Sequence, residues 1–373
     1  MNKIRFLIDK EKFIKDIYPK KCVGYDYIPS IFPSVERIIV LGDIHGDYNL
    51  FIKLLTLSKV ITLTKHKNYY KWIGKNTFVV QIGDQIDRCR PKIGEKCEDD
   101  NVTFNDEASD IRILDLANRL HKQAIKDGGA VISLLGNHEI MNVKGNLKYV
   151  SRLGLKEFEN YVDPITKQTF KDGKEGRQHA FLPGNEIGKL LGCSRLSSVI
   201  IGSHIFVHAG IVDGLITQMG IDEINDLEII NIAIRMWLLG MVKDETELKK
   251  FIEKITDGTE TSGIPNKSIF WTRLLGKIPP NTKFSDPQCM NHVSNALNIL
   301  KVGKMIIGHT PQSFMYSNGI NNTCDETIWR VDNGSSKAFI GFDKNFTTNG
   351  KISEGRLPQV LEIINDKIYN IIK

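Results

Sequence analysis

In the N-terminal part of the chain a short aliphatic run is followed three times by a glycine and a polar residue able to bind metal. Ile38-Ile39-Val40-Leu41 precedes Gly42-Asp43-Ile44-His45-Gly46, and Phe78-Val79-Val80-Gln81-Ile82 precedes Gly83-Asp84-Gln85-Ile86-Asp87-Arg88. Val131-Ile132-Ser133-Leu134-Leu135 precedes Gly136-Asn137-His138-Glu139. Runs this short and this apolar read as strands buried on both faces. The ends of such strands are where ligands bind in open sheets. Two later apolar runs also end on histidine, at Phe206-Val207-His208-Ala209 and at Met305-Ile306-Ile307-Gly308-His309-Thr310.

Taken singly, each block reads more simply as a turn or a helix cap, and a lone histidine in an apolar run as a satisfied core side chain. Their joint occurrence in this order points to a two-metal site. Asp and Asn oxygens with His nitrogens, and no adjacent Cys pair, suit borderline divalent ions, manganese ahead of iron or zinc, rather than a thiolate-held structural zinc. A carboxylate from the middle block can bridge two ions about 3.5 to 4 Å apart, which singles out Asp84.

These blocks resemble the calcineurin-like metallophosphoesterases, and within them the phosphoprotein phosphatases and the related bis-nucleoside tetraphosphatases. The resemblance runs from about Ile38 to Phe342. It implies that Asp43 and His45 hold one metal, that Asp84 bridges, and that Asn137, His208 and His309 hold the second. It also implies that His138, paired with Asp87, protonates the leaving group, while Arg88, with Asn137, holds the substrate phosphate. The segments Gly176-Arg177-Gln178-His179-Ala180-Phe181-Leu182-Pro183-Gly184, Phe270-Trp271-Thr272-Arg273 and Val331-Asp332-Asn333-Gly334-Ser335-Ser336 are most similar to the Shewanella-like branch. There, an arginine placed like Arg273 contacts phosphate. In one departure from the family pattern, Cys89 stands where Gly usually follows Asp-Arg, so the loop must take a conformation that a side chain tolerates.

The fold expected is α/β (α+β): a two-sheet sandwich flanked by helices, with a helical cap. Residues 1–36 read as a charged leader, and 37–373 as one catalytic domain with cap-like insertions at about 145–195 and 211–290. Tyr48 to Ser58 and Ile111 to Lys126 have helical periodicity, and Gly128-Gly129 stops the second. Pro91 to Asp110 is a polar, acidic loop placed to rim the site. The tail segments at Trp329, Ala338-Phe339-Ile340-Gly341-Phe342 and Val360-Leu361-Glu362-Ile363-Ile364 alternate like strands.

No apolar stretch approaches the ~18 residues of a membrane span, and the N-terminus carries no apolar stretch of signal-peptide length. The chain therefore reads as cytoplasmic. On that reading its six cysteines, none in a CxxC pair, are free thiols, although Cys89 and Cys97 could pair under oxidation. A net charge of +6 spread along the chain could draw phosphorylated substrates but gives no sign of specific nucleic-acid binding.

The expected activity is hydrolysis of phosphomonoesters, on phosphoserine, phosphothreonine or phosphotyrosine of proteins, by direct attack of a metal-bridging hydroxide. The alternative is a bis-nucleoside tetraphosphate or other nucleotide phosphoester hydrolase, which would share all the metal motifs. A non-enzymatic scaffold is disfavoured because no ligand position is lost. No docking segment identifies a regulatory subunit.

Overall fold

Twelve strands form two six-stranded sheets. In chain order these are β1 (Ile31–Phe32), β2 (Arg37–Leu41), β3 (Phe78–Gln81), β4 (Ala130–Leu134), β5 (Arg195–Leu196), β6 (Ser198–Ile201), β7 (His204–Val207), β8 (Lys304–Ile307), β9 (Asn321–Thr323), β10 (Ile328–Arg330), β11 (Val360–Ile364) and β12 (Ile368–Ile372). The computed structural model describes residues 4–64, 69–259, 268–316, 318–345, 347–348 and 351–373. One sheet has the order β12-β11-β2-β3-β4-β5, with β2, β3, β4 and β5 parallel and the β11–β12 hairpin antiparallel at one edge. The other has the order β1-β6-β7-β8-β10-β9, with β7, β8 and β10 parallel.

Both faces of each sheet are covered, as the unbroken apolar runs require. Ile38, Val40, Val80, Ile132 and Leu134 point between the sheets and meet Val199, Ile201, Phe206, Ile306 and Trp329. Their neighbours Ile39, Leu41, Val79 and Val131 point outward onto helices α1 (Tyr48–Leu57) and α2 (Asp110–Ala124), through Phe51, Leu54, Leu116 and Leu120. The outer face of the second sheet, with Ile205, Val207, Met305 and Ile307, joins a larger cluster. That cluster includes residues of α4 (Gly173–Phe181), α5 (Glu186–Ser194), α6 (Asp226–Leu238) and α7 (Pro287–Leu300), counting α3 (Asn137–Val143) as the helix that opens the third block. A fully buried Ile or Val stabilises by about 1.5 to 3 kcal/mol relative to exposure, so these layers dominate the stability.

The first residues take part in this core: Ile4, Ile8, Phe13 and Tyr18 are buried in the larger cluster, and Tyr18 donates to the Cys193 carbonyl at 2.5 Å.

Two expectations are corrected. Residues 338–342 are not a strand; Lys337–Asn345 forms 3-10 helix, which sets the Phe339 ring 5.4 Å from His45. The cysteines are not free thiols, because all six pair, as Cys22–Cys193, Cys89–Cys97 and Cys289–Cys324. The first and third pairs join residues 171 and 35 positions apart, a proximity that only the tertiary fold creates.

Candidate metal centre

The register of β2, β3 and β4 pairs Leu41 with Gln81 and Gln81 with Ser133, so the three motif loops leave the sheet side by side. They are then zipped together. The backbone N–H groups of Ile44 and His45 both donate to the Asp84 carbonyl at 2.9 Å. Glu139 accepts from the N–H groups of Asp84 (3.0 Å), Gln85 (2.7 Å) and Gly136 (2.6 Å), binding the third loop to the second. From the other sheet, β7 leads directly into His208 and β8 into Gly308-His309, and the Gly308 N–H donates to the His208 carbonyl at 2.8 Å. The His309 N–H donates to Asp43 at 3.1 Å, joining the two sheets across the site.

The candidate ligands meet in two groups that share one carboxylate. Ligand atoms of His45, Asp84 and His138 lie within 4.8 Å of one another, as do those of Asp84, His208 and His309, and all are buried. Asp43 stands beside the first group, 3.9 Å from His45 Nε2, and Asn137 Oδ1 beside the second, 3.0 Å from His208 Nε2.

Three observations fit divalent cations. His208 Nδ1 donates to the Ile82 carbonyl at 3.0 Å, leaving the Nε2 lone pair facing Asp84 at 3.4 Å. His309 Nε2 donates to the Trp271 carbonyl at 3.0 Å, leaving Nδ1 for a metal; such outer hydrogen bonds fix the ligating tautomer. Lastly, burial, followed by the charges of Asp332 and Asp84, pushes Asp43 well above the usual carboxylate range. Burial likewise lifts Asp332 to about 6. Asp84 moves the other way: burial opposes its ionisation, but His208 and His138 hold it well below the ordinary value. A dry cluster of carboxylates repelling one another is stabilised by cations.

Four of the residues involved, His45, Asp84, Asp87 and His309, have φ of 49°, 53°, 72° and 65°. Left-handed backbone at a non-glycine residue costs of order 1–3 kcal/mol and persists where the surroundings over-determine it. Cys89, the departure from the family pattern, is not among the positive-φ residues; its N–H donates to the Tyr149 carbonyl at 3.0 Å.

His138 Nδ1 donates to Asp87 Oδ2 at 2.8 Å. Arg273 flanks the second group, donating through Nη1 to the His309 carbonyl at 2.7 Å. Arg88, expected to hold phosphate, is turned elsewhere: it is 1% exposed and donates to the carbonyls of Gly46 (3.2 Å) and Asn105 (3.1 Å), with Glu107 3.7 Å away. The guanidinium beside the ligands is that of Arg90. Its Nη2 lies 2.7 Å from His45 Nδ1 and 3.4 Å from His138 Nε2, and the group is flanked by the rings of Tyr149 and Phe339. Sequence reasoning missed Arg90, Tyr149, Phe339 and Asp110. Only Arg90 carried a signal, a second arginine two residues beyond Arg88.

Residues 36–313 match the calcineurin-like phosphoesterase family, and the chain belongs to that family. It is therefore a phosphoester hydrolase of the metallophosphoesterase class. Among its relatives, protein R398 of Acanthamoeba polyphaga mimivirus is 38% identical over 263 residues, 68% of this chain and 96% of that one. Shewanella-like protein phosphatase 2 of Arabidopsis thaliana is 25% identical over 91% of this chain and 78% of its own length. In fold, a cold-active protein-tyrosine phosphatase of a psychrophilic Shewanella superposes with a TM-score of 0.58 at 17% identity, covering 93% of this chain and 83% of the other. Among the described residues no helix is long and apolar enough to cross a membrane.

Proposed function

We propose that the chain is a metal-dependent protein phosphatase that transfers a phosphoryl group from a phosphorylated side chain to water. The observation that carries this reading is the sharing of Asp84 by two buried groups, one with His45 and His138 and one with His208 and His309, with His138 also paired to Asp87. Similarity to Shewanella-like protein phosphatases supports a protein substrate over a nucleotide.

Asp43, His45 and Asp84 would hold one divalent ion and Asp84, Asn137, His208 and His309 the other, with manganese favoured by the mixed N/O donors. Bound there, the ions would lower the pKa of water and neutralise phosphate oxygens. The chain's own groups do the rest. Arg273 stands beside the second ligand group and Arg90 beside the first; Nη1 of Arg90 is held by the Asp87 (3.1 Å) and Cys89 (2.7 Å) carbonyls, so a phosphate would meet its Nη2 side. In the reaction, a water oxygen bonds to phosphorus as the ester P–O bond breaks. The leaving oxygen keeps that electron pair and takes a proton from His138 Nε2, while the water's own protons go to the phosphate and, in the end, back to His138.

The three disulfides favour an oxidising compartment over the reducing cytoplasm. The functional test compares initial rates on a phosphopeptide panel and on diadenosine tetraphosphate, with and without chelator, restoring Mn²⁺ or Ca²⁺. Expected are faster turnover of phosphopeptides, silence in chelator, and recovery with Mn²⁺ above Ca²⁺. Preference for the dinucleotide, or full activity after prolonged chelation, overturns the reading.

A further inference from the structure

Arg177 lies on α4 in the cap and is completely buried. Burying a guanidinium costs several kcal/mol unless its donors are matched, and here each of the three nitrogens has a partner, four hydrogen bonds for five N–H groups. Nη1 donates to the Gly154 carbonyl at 3.1 Å, Nε to Asn142 Oδ1 at 2.8 Å, and Nη2 to both Asp110 Oδ2 at 2.8 Å and Asp87 Oδ1 at 3.3 Å. The rings of Phe158 and Phe181 flank its Cζ at 5.6 and 4.9 Å.

Neutralising Asp110 would need only one of these bonds. Of the other three, one holds the Gly154 carbonyl and two, to Asn142 and Asp87, converge on the acid pair. By fixing Asn142 Oδ1, Arg177 dictates which end of that amide faces the site. Asn142 Nδ2 then donates to both oxygens of Asp87, each at 3.0 Å, and to the His138 carbonyl at 2.9 Å. Asp87 is thus held directly by Arg177 and, through Asn142, indirectly. Its remaining strong contact is His138 Nδ1.

We infer that Arg177 is a positioning residue for the proton donor: through Asp87 and Asn142 it sets the ring orientation that presents His138 Nε2 to the leaving oxygen, and so ties the cap helix to the chemistry. The inference rests on the proposed role of His138. It accounts for a completely buried arginine on α4.

A misplaced proton donor matters most where the leaving oxygen is strongly basic. The experiment therefore measures kcat and KM with phenyl phosphate, a poor leaving group, and 4-nitrophenyl phosphate, a good one. It uses the parent and Arg177→Gln, Arg177→Lys, Asn142→Ala and His138→Asn, with metal content measured on each. Arg177→Gln should lose kcat on phenyl phosphate by about 10²-fold and several-fold at most on 4-nitrophenyl phosphate, with KM and metal content unchanged. Arg177→Lys should recover part of the loss, since it returns the charge without the planar fork. Asn142→Ala, which leaves the Arg177–Asp110 pair intact, should show the same selectivity and serves if Arg177→Gln does not fold. Equal losses on both substrates, or none, in the folded variants overturn the inference. If His138→Asn alone is leaving-group selective, the positioning role falls while the proposed function stands. If His138→Asn is not selective either, the proton-donor assignment falls and the inference with it.

Discussion

Arg88 and Arg90 show how two residues of the same type, two positions apart, come to opposite uses. Both donate to backbone carbonyls, Arg88 to those of Gly46 and Asn105 and Arg90 Nη1 to those of Asp87 and Cys89, but only Arg90 also brings its other nitrogen, Nη2, against His45 and His138, between two aromatic rings. Arg90→Lys is therefore expected to raise KM about 10-fold and to weaken inhibition by phosphate or tungstate, because an ammonium cannot hold the Asp87 and Cys89 carbonyls and reach a phosphate oxygen at the same time. Arg88→Lys should leave oxyanion inhibition unchanged and lower the melting temperature, since it strands buried carbonyls; weakened inhibition in Arg88→Lys with none in Arg90→Lys would reverse the assignment. Glu157 offers a test by pH. Burial, then the charge of Asp110, lifts its carboxyl to about 8 from an ordinary 4.5, and among the described residues its Oε2 has no hydrogen-bond partner. Because the folded value is the higher one, the neutral form favours folding: this contribution is full below the unfolded pKa and is lost as pH rises through about 8. Glu157→Gln should therefore gain stability relative to the parent between about pH 5 and 9, as thermal unfolding at both ends would read. The ligand types were legible in the sequence because they sit in fixed order behind apolar runs. The direction of a guanidinium was not, since it depends on partners such as Asn105 and Phe339 that reach the site only through the fold.

At the scale of elements, the strand-to-loop transitions carry the site, and their glycines allow the loops to touch. A Cβ at Gly136 would lie 2.2 Å from Asp84 Oδ1 and 2.3 Å from the Asp84 nitrogen, and one at Gly308 2.4 Å from Asp43 Oδ1. Gly136→Ala must therefore push the shared carboxylate out of place while leaving the sheets packed. Metal content should fall by more than about half, and activity by on the order of 10²-fold, with little change in circular dichroism; full metal occupancy in this variant would show that the loops separate without consequence. The βα units on β2 and β3 and the helices α1 and α2 could be read directly, because apolar runs of strand length alternate with helical periodicity. Residues 338–342 misled because their alternation matches a strand as well as it matches a short helix seen on one face. The segment instead coils into 3-10 helix and brings the Phe339 ring 5.4 Å from His45.

For the molecule as a whole, the expected two-sheet sandwich flanked by helices is what forms: two six-stranded sheets pack face to face through residues such as Ile38, Val40, Phe206 and Ile306. Of the cysteine pairs only Cys89–Cys97 was visible in the sequence, as a pairing under oxidation; Cys22–Cys193 was not legible, because partners 171 residues apart become neighbours only when the N-terminal residues pack against α5. Cys22 sits just after the first helical turns, which bury Phe13 and Tyr18 in the larger cluster, and Cys193 lies near the end of α5. Closing so long a loop restricts the unfolded chain, and removing a bridge of this kind typically costs 2–5 kcal/mol, about as much as a buried side chain. The pair lies apart from the metal ligands, so stability and catalysis should separate. In the double variant Cys22→Ala/Cys193→Ala, urea unfolding should show a loss of about 2–5 kcal/mol, while kcat on aryl phosphates at a temperature where the protein stays folded should match the parent. An unchanged midpoint would mean that burial of Tyr18 and its neighbours already holds the leader in place. A fall in kcat with metal retained would mean that the leader and α5 reach the chemistry through the cap, along the same path that Arg177 provides from α4.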